Sequence, residues 1–387
     1  ASNLSFTWTI QDNLTSAGKI RIELISAHAA VTDDSDNAFN IKGALTLTAP
    51  NGGQTWTISS NQNITWTSAG TIGNLELRYS TDGGSTFPPG NTIATGLAQN
   101  SSPYAWTVAD AIDIDIKVRV HKVGDETLCD ASDANFSIKG SLTLTAPNGT
   151  ETWSVGTLQN ITWIRQGASM TDVRLDYSKN NGVDNYPYPV IASTLSSNLS
   201  YAWTIPDAIG SQLKVKIILN SDTSTNDASD NVFTIKGRFS LNAPTGGETW
   251  YVGLSNNIDW LTYGSIDKVN LYYSVNGGSS YLSTIASALS NIGAYAWTIP
   301  DAIDTDLKVK VESYYDSAVF VTSPNNFTVK GRVVANYPNG GEVFKVGEVK
   351  NVTWNAYGSI GNAEIHYSTN DGTSYDWTIT DSIVASA

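Results

Sequence analysis

Ala49-Pro50-Asn51-Gly52-Gly53-Gln54-Thr55-Trp56 decides the fold of this chain, because variants of this stretch recur at a nearly fixed spacing. Its relatives lie at 146–153, at 243–250 and, with Phe344 in place of the Trp, at 337–344. A second marker, Phe-x-Ile/Val-Lys-Gly, ends at Gly43, Gly140, Gly237 and Gly331, so the repeats are 97, 97 and 94 residues apart. Such a period indicates one structural module used several times.

Within the period, short segments alternate apolar and polar residues at every second position, as in Val173-Arg174-Leu175-Asp176-Tyr177. This alternation is typical of half-buried strands. In the second full repeat we predict strands near 142–145, 152–155, 160–164, 173–178, 190–192, 201–205, 214–219 and 232–235. Seven or eight short strands in under a hundred residues fit an immunoglobulin or fibronectin-III-like β-sandwich. The sequence therefore predicts an all-β protein of tandem sandwiches.

Tryptophans recur in step with the period, and Trp56, Trp66 and Trp106 mark three positions of the module. In Asn63-Ile64-Thr65-Trp66, the alternation places Ile64 and Trp66 on the inner face and the two polar residues outside. We expect these indoles to fill a core that needs no disulfide.

The repeat divides the chain into three complete modules and two halves. The complete modules are 44–140 (module 1), 141–237 (module 2) and 238–331 (module 3). Residues 1–43 (the leading half-module) match the C-terminal half of a module, and residues 332–387 (the trailing half-module) match the N-terminal half. Half a sandwich cannot bury its inner face. We expect either a window of a longer repeat chain or completion by strand exchange between successive copies, head to tail.

The connections between modules are short. The last strand of module 2 is predicted to end at Ile235 and the next strand to begin near Phe239. Flexible linkers are longer and rich in Gly or Ser. We therefore expect a stiff rod.

Several motifs in a fixed order carry a resemblance: Pro-Asn-Gly-Gly-x-x-Trp, Asn-Ile-Thr-Trp, Tyr-Ser-Thr-Asp-Gly-Gly, Tyr-Ala-Trp-Thr-Ile-Pro-Asp and Asp-x-Ser-Asp-x-x-Phe-x-Ile. Together they resemble the immunoglobulin-like module repeated in large secreted and cell-surface proteins of bacteria and archaea, similar to the N-terminal domain of the yeast Kre9/Knh1 cell-wall family. The resemblance covers the whole chain. It implies display, adhesion or wall and filament architecture.

Composition narrows the range of functions. A formal charge of −14 and a pI near 4.5 argue against nucleic acid as a partner, because phosphate binding needs a basic face. Cys129 is the only cysteine, and no stretch is long and apolar enough for a membrane span. The histidines His28, His121 and His366 fall at unrelated places in their modules, so we expect no enzyme site and no cofactor.

A sharper motif is Ser80-Thr81-Asp82-Gly83-Gly84-Ser85-Thr86-Phe87, which fits the Asp-box pattern of sialidases and other secreted β proteins. That fit invites a glycosidase interpretation. In the pattern, however, Asp and Gly shape a hairpin turn. The other modules have Asn180, Asn276 and Asn370 in place of the Asp. We predict a structural turn.

Acidic clusters precede the last strand of several modules and form the candidate metal site. Oxygen atoms close together can hold Ca²⁺, and the alternative is an Asx turn leading into the strand. Module 3 has Ser323-Pro324-Asn325 there, without carboxylates. The candidate calcium ligands are Asp33, Asp34, Asp36, Asp130, Asp133, Asp227 and Asp230.

Two further features bear on glycans. Asn-x-Ser/Thr sequons make N-glycosylation chemically feasible at Asn63, Asn160, Asn198, Asn326 and Asn351. Among the twelve Trp residues, only Trp377 falls outside the three recurring positions, which makes it the candidate for stacking on cell-surface sugars.

We therefore expect an extracellular or cell-surface structural protein that forms a rod, stalk or filament, with copies of itself as partners. Two alternatives stay open. One is an adhesin or a carbohydrate-binding accessory segment of a secreted protein, and the other is an enzyme whose catalytic domain lies outside these residues.

Overall fold

A computed structural model describes residues 4–25 and 31–385 of the chain. Within these residues the regular structure is β-strand, apart from two short 3-10 helices at Pro89–Asn91 and Ser196–Asn198. None of the described helices is long and apolar enough to cross a bilayer. The fold is all-β, built of tandem immunoglobulin-like and fibronectin-III-like sandwiches, as predicted.

The strands are numbered along the chain. The leading half-module has β1 (Thr15–Gly18), β2 (Arg21–Glu23), β3 (Thr32–Asp34) and β4 (Phe39–Ile41). Module 1 has β5 (Ala44–Ala49), β6 (Thr55–Thr57), β7 (Asn61–Ala69), β8 (Leu75–Ser80), β9 (Thr92–Leu97), β10 (Tyr104–Thr107), β11 (Asp113–Lys122), β12 (Asp125–Ala131) and β13 (Phe136–Lys139). Module 2 has β14 (Ser141–Ala146), β15 (Thr152–Ser154), β16 (Leu158–Gln166), β17 (Asp172–Ser178), β18 (Tyr188–Leu195), β19 (Ser200–Thr204), β20 (Gly210–Leu219), β21 (Asn226–Ala228) and β22 (Phe233–Lys236).

The numbering continues through the last two segments. Module 3 has β23 (Arg238–Ala243), β24 (Thr249–Tyr251), β25 (Ser255–Tyr263), β26 (Lys268–Ser274), β27 (Ser283–Ser290), β28 (Ala294–Thr298), β29 (Asp304–Ser313), β30 (Phe320–Thr322) and β31 (Phe327–Lys330). The trailing half-module has β32 (Arg332–Tyr337), β33 (Thr353–Tyr357), β34 (Asn362–Tyr367) and β35 (Trp377–Val384).

Each complete module is built from two sheets with the same strand order. In module 1 the smaller sheet is β5–β7–β10 and the larger is β6–β13–β11–β8–β9, with β12 paired to the end of β11. The pairings are antiparallel except for β6 with β13, which is parallel. Modules 2 and 3 repeat this order strand for strand.

Strand β7 shows why the sequence folds this way. Its residues alternate between the two faces of the sheet, and Ile64 and Trp66 are buried while Asn63 is exposed. Both orientations were predicted from the period-two pattern, and the structure confirms them. Because every strand of the smaller sheet has one apolar face, the sheet is stable only when it packs on the larger one.

Each module has its own core, with three aromatic rings at its centre. In module 1, Trp56 packs edge-on against Trp106 at 5.9 Å and lies 4.7 Å from Phe136. The equivalent triplets are Trp153, Trp203 and Phe233 in module 2 and Trp250, Trp297 and Phe327 in module 3. The third recurring indole also finds a polar partner: Trp163 Nε1 donates to the carbonyl of Ser196 at 2.8 Å. A buried indole N–H with a partner avoids a desolvation cost.

The strand predictions for module 2 hold with one omission. Each predicted segment overlaps an observed strand, but β21 was missed. Its residues, Asn226-Asp227-Ala228, have low β-propensity. They form a strand because β20 offers them a pairing edge.

In the half-modules the described strands pair only with strands of the same half. Here β1 pairs with β4 and β2 with β3 at one end, while β32 pairs with β33 and β34 with β35 at the other.

Candidate functional site

Successive modules meet at tight joints, which form the first candidate functional surface. Between β13 and β14 the only residue outside a strand is Gly140. A Cβ atom there would lie 2.2 Å from Met170 Sδ and 2.8 Å from the Gln166 carbonyl oxygen. The glycine thus lets the connection pack directly on the next module.

Apolar contacts cross the same joint. Ile112 of module 1 packs against the cores of both module 1 and module 2. At the next joint, Tyr263 of module 3 packs against the core of module 2, and Tyr357 does the same for module 3. The joints are therefore apolar in part and continuous with the cores.

A carboxylate crosses every joint to a residue 58 or 59 positions further along. Asp12 accepts from the backbone N–H of Thr71 at 2.9 Å and from its hydroxyl at 2.7 Å. These hydrogen bonds from Thr71 hold the pKa of Asp12 below its ordinary value. We call this contact the joint clasp, and its four pairs are Asp12–Thr71, Asp110–Ala168, Asp207–Ser265 and Asp301–Ser359.

Ion pairs and a stacked arginine add to the joints. Lys139 Nζ lies 3.3 Å from Asp222 of the following module, and Lys236 Nζ lies 2.9 Å from Asp316. Arg238 of module 3 donates from Nε to the carbonyl of Val155 in module 2 at 3.1 Å, and its guanidinium carbon lies 3.5 Å from the centroid of the Tyr263 ring. Each exposed ion pair contributes little to the free energy of unfolding. At these joints the pairs mainly restrain the orientation of one module relative to the next.

Asp222 illustrates the electrostatics of the joint. Partial burial raises its pKa, but hydrogen bonds from Ser224, Thr225 and Lys139 outweigh burial and bring the pKa to about 2. The Asp222 carboxylate is therefore ionised at neutral pH and can pair with the Lys139 ammonium.

The open faces of the half-modules are the second candidate surface. Trp8 is 43% exposed, whereas its equivalent Trp106 is 5% exposed. Ile22 is 69% exposed, whereas the equivalent Val120 is fully buried. The trailing half-module shows the same contrast, since Phe344 is 47% exposed. In each half-module, side chains that are buried in a complete module are therefore exposed.

The candidate calcium ligands act as hydrogen-bond acceptors inside their own modules. Asp130 accepts from the backbone N–H of Leu47 at 2.7 Å, and Asp227 accepts from that of Leu144 at 2.7 Å. Asp133 and Asp230 pair reciprocally with Asn51 and Asn148.

In the leading half-module, Asp34 pairs with Arg21 at 2.7 Å, and Asp33 and Asp36 are exposed. Over residues 4–25 and 31–385, no group of three or more His, Cys, Asp or Glu side chains is placed to hold a metal ion. Calcium binding stays a prediction from the sequence.

The Asp-box segment forms a turn. Asp82 accepts from Ser80 Oγ at 2.5 Å, from the backbone N–H of Thr86 at 2.9 Å and from its hydroxyl at 2.7 Å. These bonds, led by that of Ser80, lower the pKa of Asp82 to about 2. The carboxylate thus holds the loop between β8 and β9 closed, as the structural interpretation predicts.

The sequon asparagines lie mostly at the surface. Asn63, Asn160, Asn198 and Asn351 are exposed. Asn326 is half-buried and donates to Asp306 at 2.8 Å. Glycosylation at these positions stays a prediction.

Trp377 has an explanation that the sequence did not reveal. It lies on β35 opposite Tyr367 of β34 and stacks on it, with ring centroids 6.1 Å apart. In module 2, Tyr188 lies opposite Tyr177 and stacks on it at 5.0 Å. Trp377 therefore occupies a cross-strand aromatic position that module 2 shares, and it is 55% exposed.

A partly buried charged cluster in module 1 was not anticipated. Arg78 pairs with Glu76 at 2.6 Å and with Glu126 at 3.0 Å, and Arg119 pairs with Glu126 at 3.1 Å. His121 Nε2 lies 3.9 Å from Glu76, and burial, followed by the charge of Arg119, lowers the pKa of His121. Polar residues at the outward positions of two adjacent strands were the signal available in the sequence.

The other histidines differ in environment. His28 lies outside the described residues. His366 has Glu364 at 3.1 Å on one ring nitrogen and the Thr378 hydroxyl at 3.1 Å on the other. Thr378, His366 and Glu364 together resemble a hydroxyl–His–carboxylate triad. They lie on the exposed strand pair β34–β35, however, where water screens their charges.

Comparison with known proteins gives structural likeness and no family. No family model matches the chain, and no curated protein matches it. The chain is similar to the fibronectin(III)-like modules of CbhA from Clostridium thermocellum, with 16% identity, 49% of this chain and 94% of that chain covered, and a TM-score of 0.19.

Two further solved structures are similar to this chain at comparably low identity and TM-score. The I-band fragment of titin shows 9% identity over 74% of this chain and 98% of its own, with a TM-score of 0.27. The ICAM-5 ectodomain fragment D1–D4 shows 12% identity over 81% of this chain and 83% of its own, with a TM-score of 0.28. The strand order of the modules themselves carries the fold assignment.

Proposed function

We propose that this protein is an extracellular structural protein whose sandwich modules form a stiff rod, part of a surface stalk or filament. The observation that carries the proposal is the joint clasp, which recurs at all four joints. Together with connections of one or two residues and with shared apolar residues, it restricts bending between modules. A binding module displayed on a flexible tether would need none of these contacts.

The sequence motifs support the same proposal. They resemble the repeated immunoglobulin-like modules of bacterial and archaeal surface proteins and the Kre9/Knh1 cell-wall domain. An acidic surface suits a protein outside the cell.

Stiffness can be measured directly. Cys129 is exposed and is the only cysteine, and the equivalent position in module 2 is the exposed Asn226. Spin labels on Cys129 and on an Asn226→Cys variant report the distance between two adjacent modules. We expect a narrow distance distribution, which broadens when a Gly-Ser linker is inserted after Gly140. A broad distribution in the unmodified chain would contradict the proposal.

The second candidate is an adhesin or a carbohydrate-binding accessory segment. The exposed pair Trp377 and Tyr367, with Tyr375 also exposed, favours it, because sugars stack on such rings. Glycan-array binding that Trp377→Ala abolishes would support this candidate. Tyr188→Ala, at the equivalent place in module 2, is the matched control.

A further inference from the structure

We propose that Cys129 of module 1 is a reactive thiol, with His121 as its general base, and that it forms mixed disulfides with small disulfide compounds. The two residues belong to neighbouring strands, and His121 of β11 lies directly opposite Cys129 of β12. On its other side, His121 lies opposite Glu76 of β8. Carboxylate, imidazole and thiol thus form one row across three strands. The inference goes beyond the proposed function and does not depend on the rod.

The row lies on the outer face of the larger sheet. Val120 is buried in the core of module 1, so the next residue, His121, lies on the opposite face. On β12, Asp130 turns inward and accepts from the backbone N–H of Leu47, so Cys129 turns outward. Residues directly opposite each other in an antiparallel pair have Cβ atoms about 4.5–5.5 Å apart. Rotation of the Cys129 side chain can therefore bring its Sγ within hydrogen-bond reach of the imidazole.

His121 is buried and has an unused nitrogen. The residue is 2% exposed, and its Nε2 lies 3.9 Å from the Glu76 carboxylate. Its Nδ1 has no hydrogen-bond partner among the residues that the structure describes. Nearly all buried polar atoms in proteins have a partner, so this one calls for an explanation. With Nε2 nearest to Glu76, Nδ1 is the nitrogen left to take a proton from the thiol.

The charged groups around His121 keep it in the neutral form that a base requires. Burial, followed by the charge of Arg119 on β11, lowers the pKa of His121, and Arg78 on β8 acts in the same direction. Glu76 on β8 and Glu126 on β12 oppose this shift without reversing it. The imidazole is therefore unprotonated at pH 7 and can accept a proton. Glu76 then stabilises the imidazolium and is a positioning residue.

The thiol is accessible. Cys129 is exposed, and as the only cysteine of the sequence it has no disulfide partner within the chain. A reactive cysteine needs both access and a neighbouring base. Glu126 reaches from β12 to Arg78 at 3.0 Å and to Arg119 at 3.1 Å, next to the row. This cover favours a small reagent over the surface of another protein.

The other complete modules have the same row without this chemistry. The equivalent residues are Arg174, Ile218 and Asn226 in module 2 and Asn270, Glu312 and Phe320 in module 3. Neither row contains a thiol or an imidazole. Because the strands pair in the same way in all three modules, the fold does not require these residue types. Module 2 therefore offers a matched site in which the chemistry can be built.

The reaction is a thiol–disulfide exchange. His121 Nδ1 takes the thiol proton while Sγ of Cys129 attacks one sulfur of the small disulfide. A bond forms between Sγ and that sulfur, the S–S bond of the reagent breaks, and the leaving thiolate receives the proton from His121. Cys129 is oxidised and the leaving sulfur is reduced. The disulfide itself is the oxidant, and the product is module 1 with a small thiol attached.

The first experiment measures how fast the full chain reacts with oxidised glutathione at pH 7, followed by the increase in mass. The control is a Cys129→Ser, Asn226→Cys variant, whose exposed thiol position lies opposite Ile218. We expect Cys129 to react at least about tenfold faster, as general-base assistance allows. Equal rates for the two thiols would overturn the inference.

Substitution of the base tests its role in both modules. His121→Gln should remove the rate advantage of Cys129 while hydrogen exchange shows that module 1 stays folded. An unchanged rate in the folded variant would overturn the inference. Adding Ile218→His to the control variant should raise the rate of its thiol, and this arm decides the matter if His121→Gln does not fold. No increase there would also count against His121 as the base.

The pH profile tests the positioning residue. Because the pKa of His121 lies below its ordinary value of 6.5, the rate advantage of Cys129 should persist at pH 6.5 and be lost only at lower pH. Glu76→Gln removes the carboxylate that stabilises the imidazolium, so we expect this loss to move to still lower pH. A merely structural role of Glu76 would not move the profile. An unshifted profile would therefore refute its part in the row.

Discussion

The carboxylate of Asp301 accepts two hydrogen bonds from Ser359 across a joint, one from the backbone N–H at 2.9 Å and one from the hydroxyl at 2.5 Å. The two residues are 58 positions apart and belong to different modules. Both donors of Ser359 converge on one oxygen, Oδ2, and so restrain the position of the carboxylate. The contact therefore restrains the orientation of one module relative to the next.

The joint between modules 1 and 2 has a weaker clasp that can be strengthened. Asp110 accepts only from the backbone N–H of Ala168, at 2.8 Å, because alanine has no hydroxyl. We expect Ala168→Ser to narrow the distance distribution between labels at Cys129 and at Asn226→Cys. Asp110→Ala should broaden it. Equal widths in all three proteins would show that the clasp does not restrain the joint.

The connecting glycine should not tolerate a side chain. We expect Gly140→Ala to destabilise the chain by about 1–3 kcal/mol, as overpacking does, since its Cβ would meet Met170 and the Gln166 carbonyl. Urea denaturation measures the loss. Gly90→Ala is the control, because a Cβ at Gly90 meets nothing within 4 Å. A loss of equal size in both variants would refute the steric argument.

The Asp-box turn should add an acid-dependent contribution to the stability of module 1. The folded pKa of Asp82, about 2, is below its ordinary value of 3.8, so the stabilisation is present above pH 3.8 and is lost as the pH falls through about 2. Asp82→Asn should remove this dependence. Module 3 has Asn276 at the same place, with its side-chain oxygen 3.0 Å from the Ser280 backbone N–H.

The reverse change provides the control for that prediction. Asn276→Asp should introduce the same dependence into module 3. Hydrogen exchange followed by mass spectrometry at several pH values resolves the modules. An unchanged pH profile in both variants would contradict the assignment.

The indole of Trp163 should matter through its N–H as well as its volume. Trp163→Phe leaves the Ser196 carbonyl without this donor in a buried site, which costs about 1–3 kcal/mol. Local hydrogen exchange in module 2 measures the effect. Trp377→Phe keeps a ring on an exposed strand and should change stability by less than about 0.5 kcal/mol. Similar losses for the two variants would argue against the role of the buried N–H.

Most of the fold was predictable because its signal is local and repeated. The alternation in Val173–Tyr177 identifies a half-buried strand without any knowledge of its partners, and the period of the Lys-Gly marker separates the modules. The missed strand β21 has no such signal, because pairing with β20 determines its conformation.

The candidate sites were less predictable than the fold. Asp33, Asp130 and Asp227 look alike in sequence, and their acidic neighbours suggested calcium. In the structure, Asp130 and Asp227 accept hydrogen bonds from the backbone of the first strand of their modules, more than 80 residues earlier. Trp377 appeared exceptional because its stacking partner, Tyr367, lies on the preceding strand in a register that spacing alone does not reveal.

The sequence by itself determined the all-β class, the module period, the inward face of each strand and the complementary character of residues 1–43 and 332–387. These properties depend on side-chain alternation and on repetition, which are written along the chain. Only the tertiary structure decided the joint clasp, the use of the acidic clusters and the edges left unpaired in the half-modules. Such contacts join residues 58 or more positions apart. Whether two such residues meet depends on how the sheets pack and on how one module packs against the next.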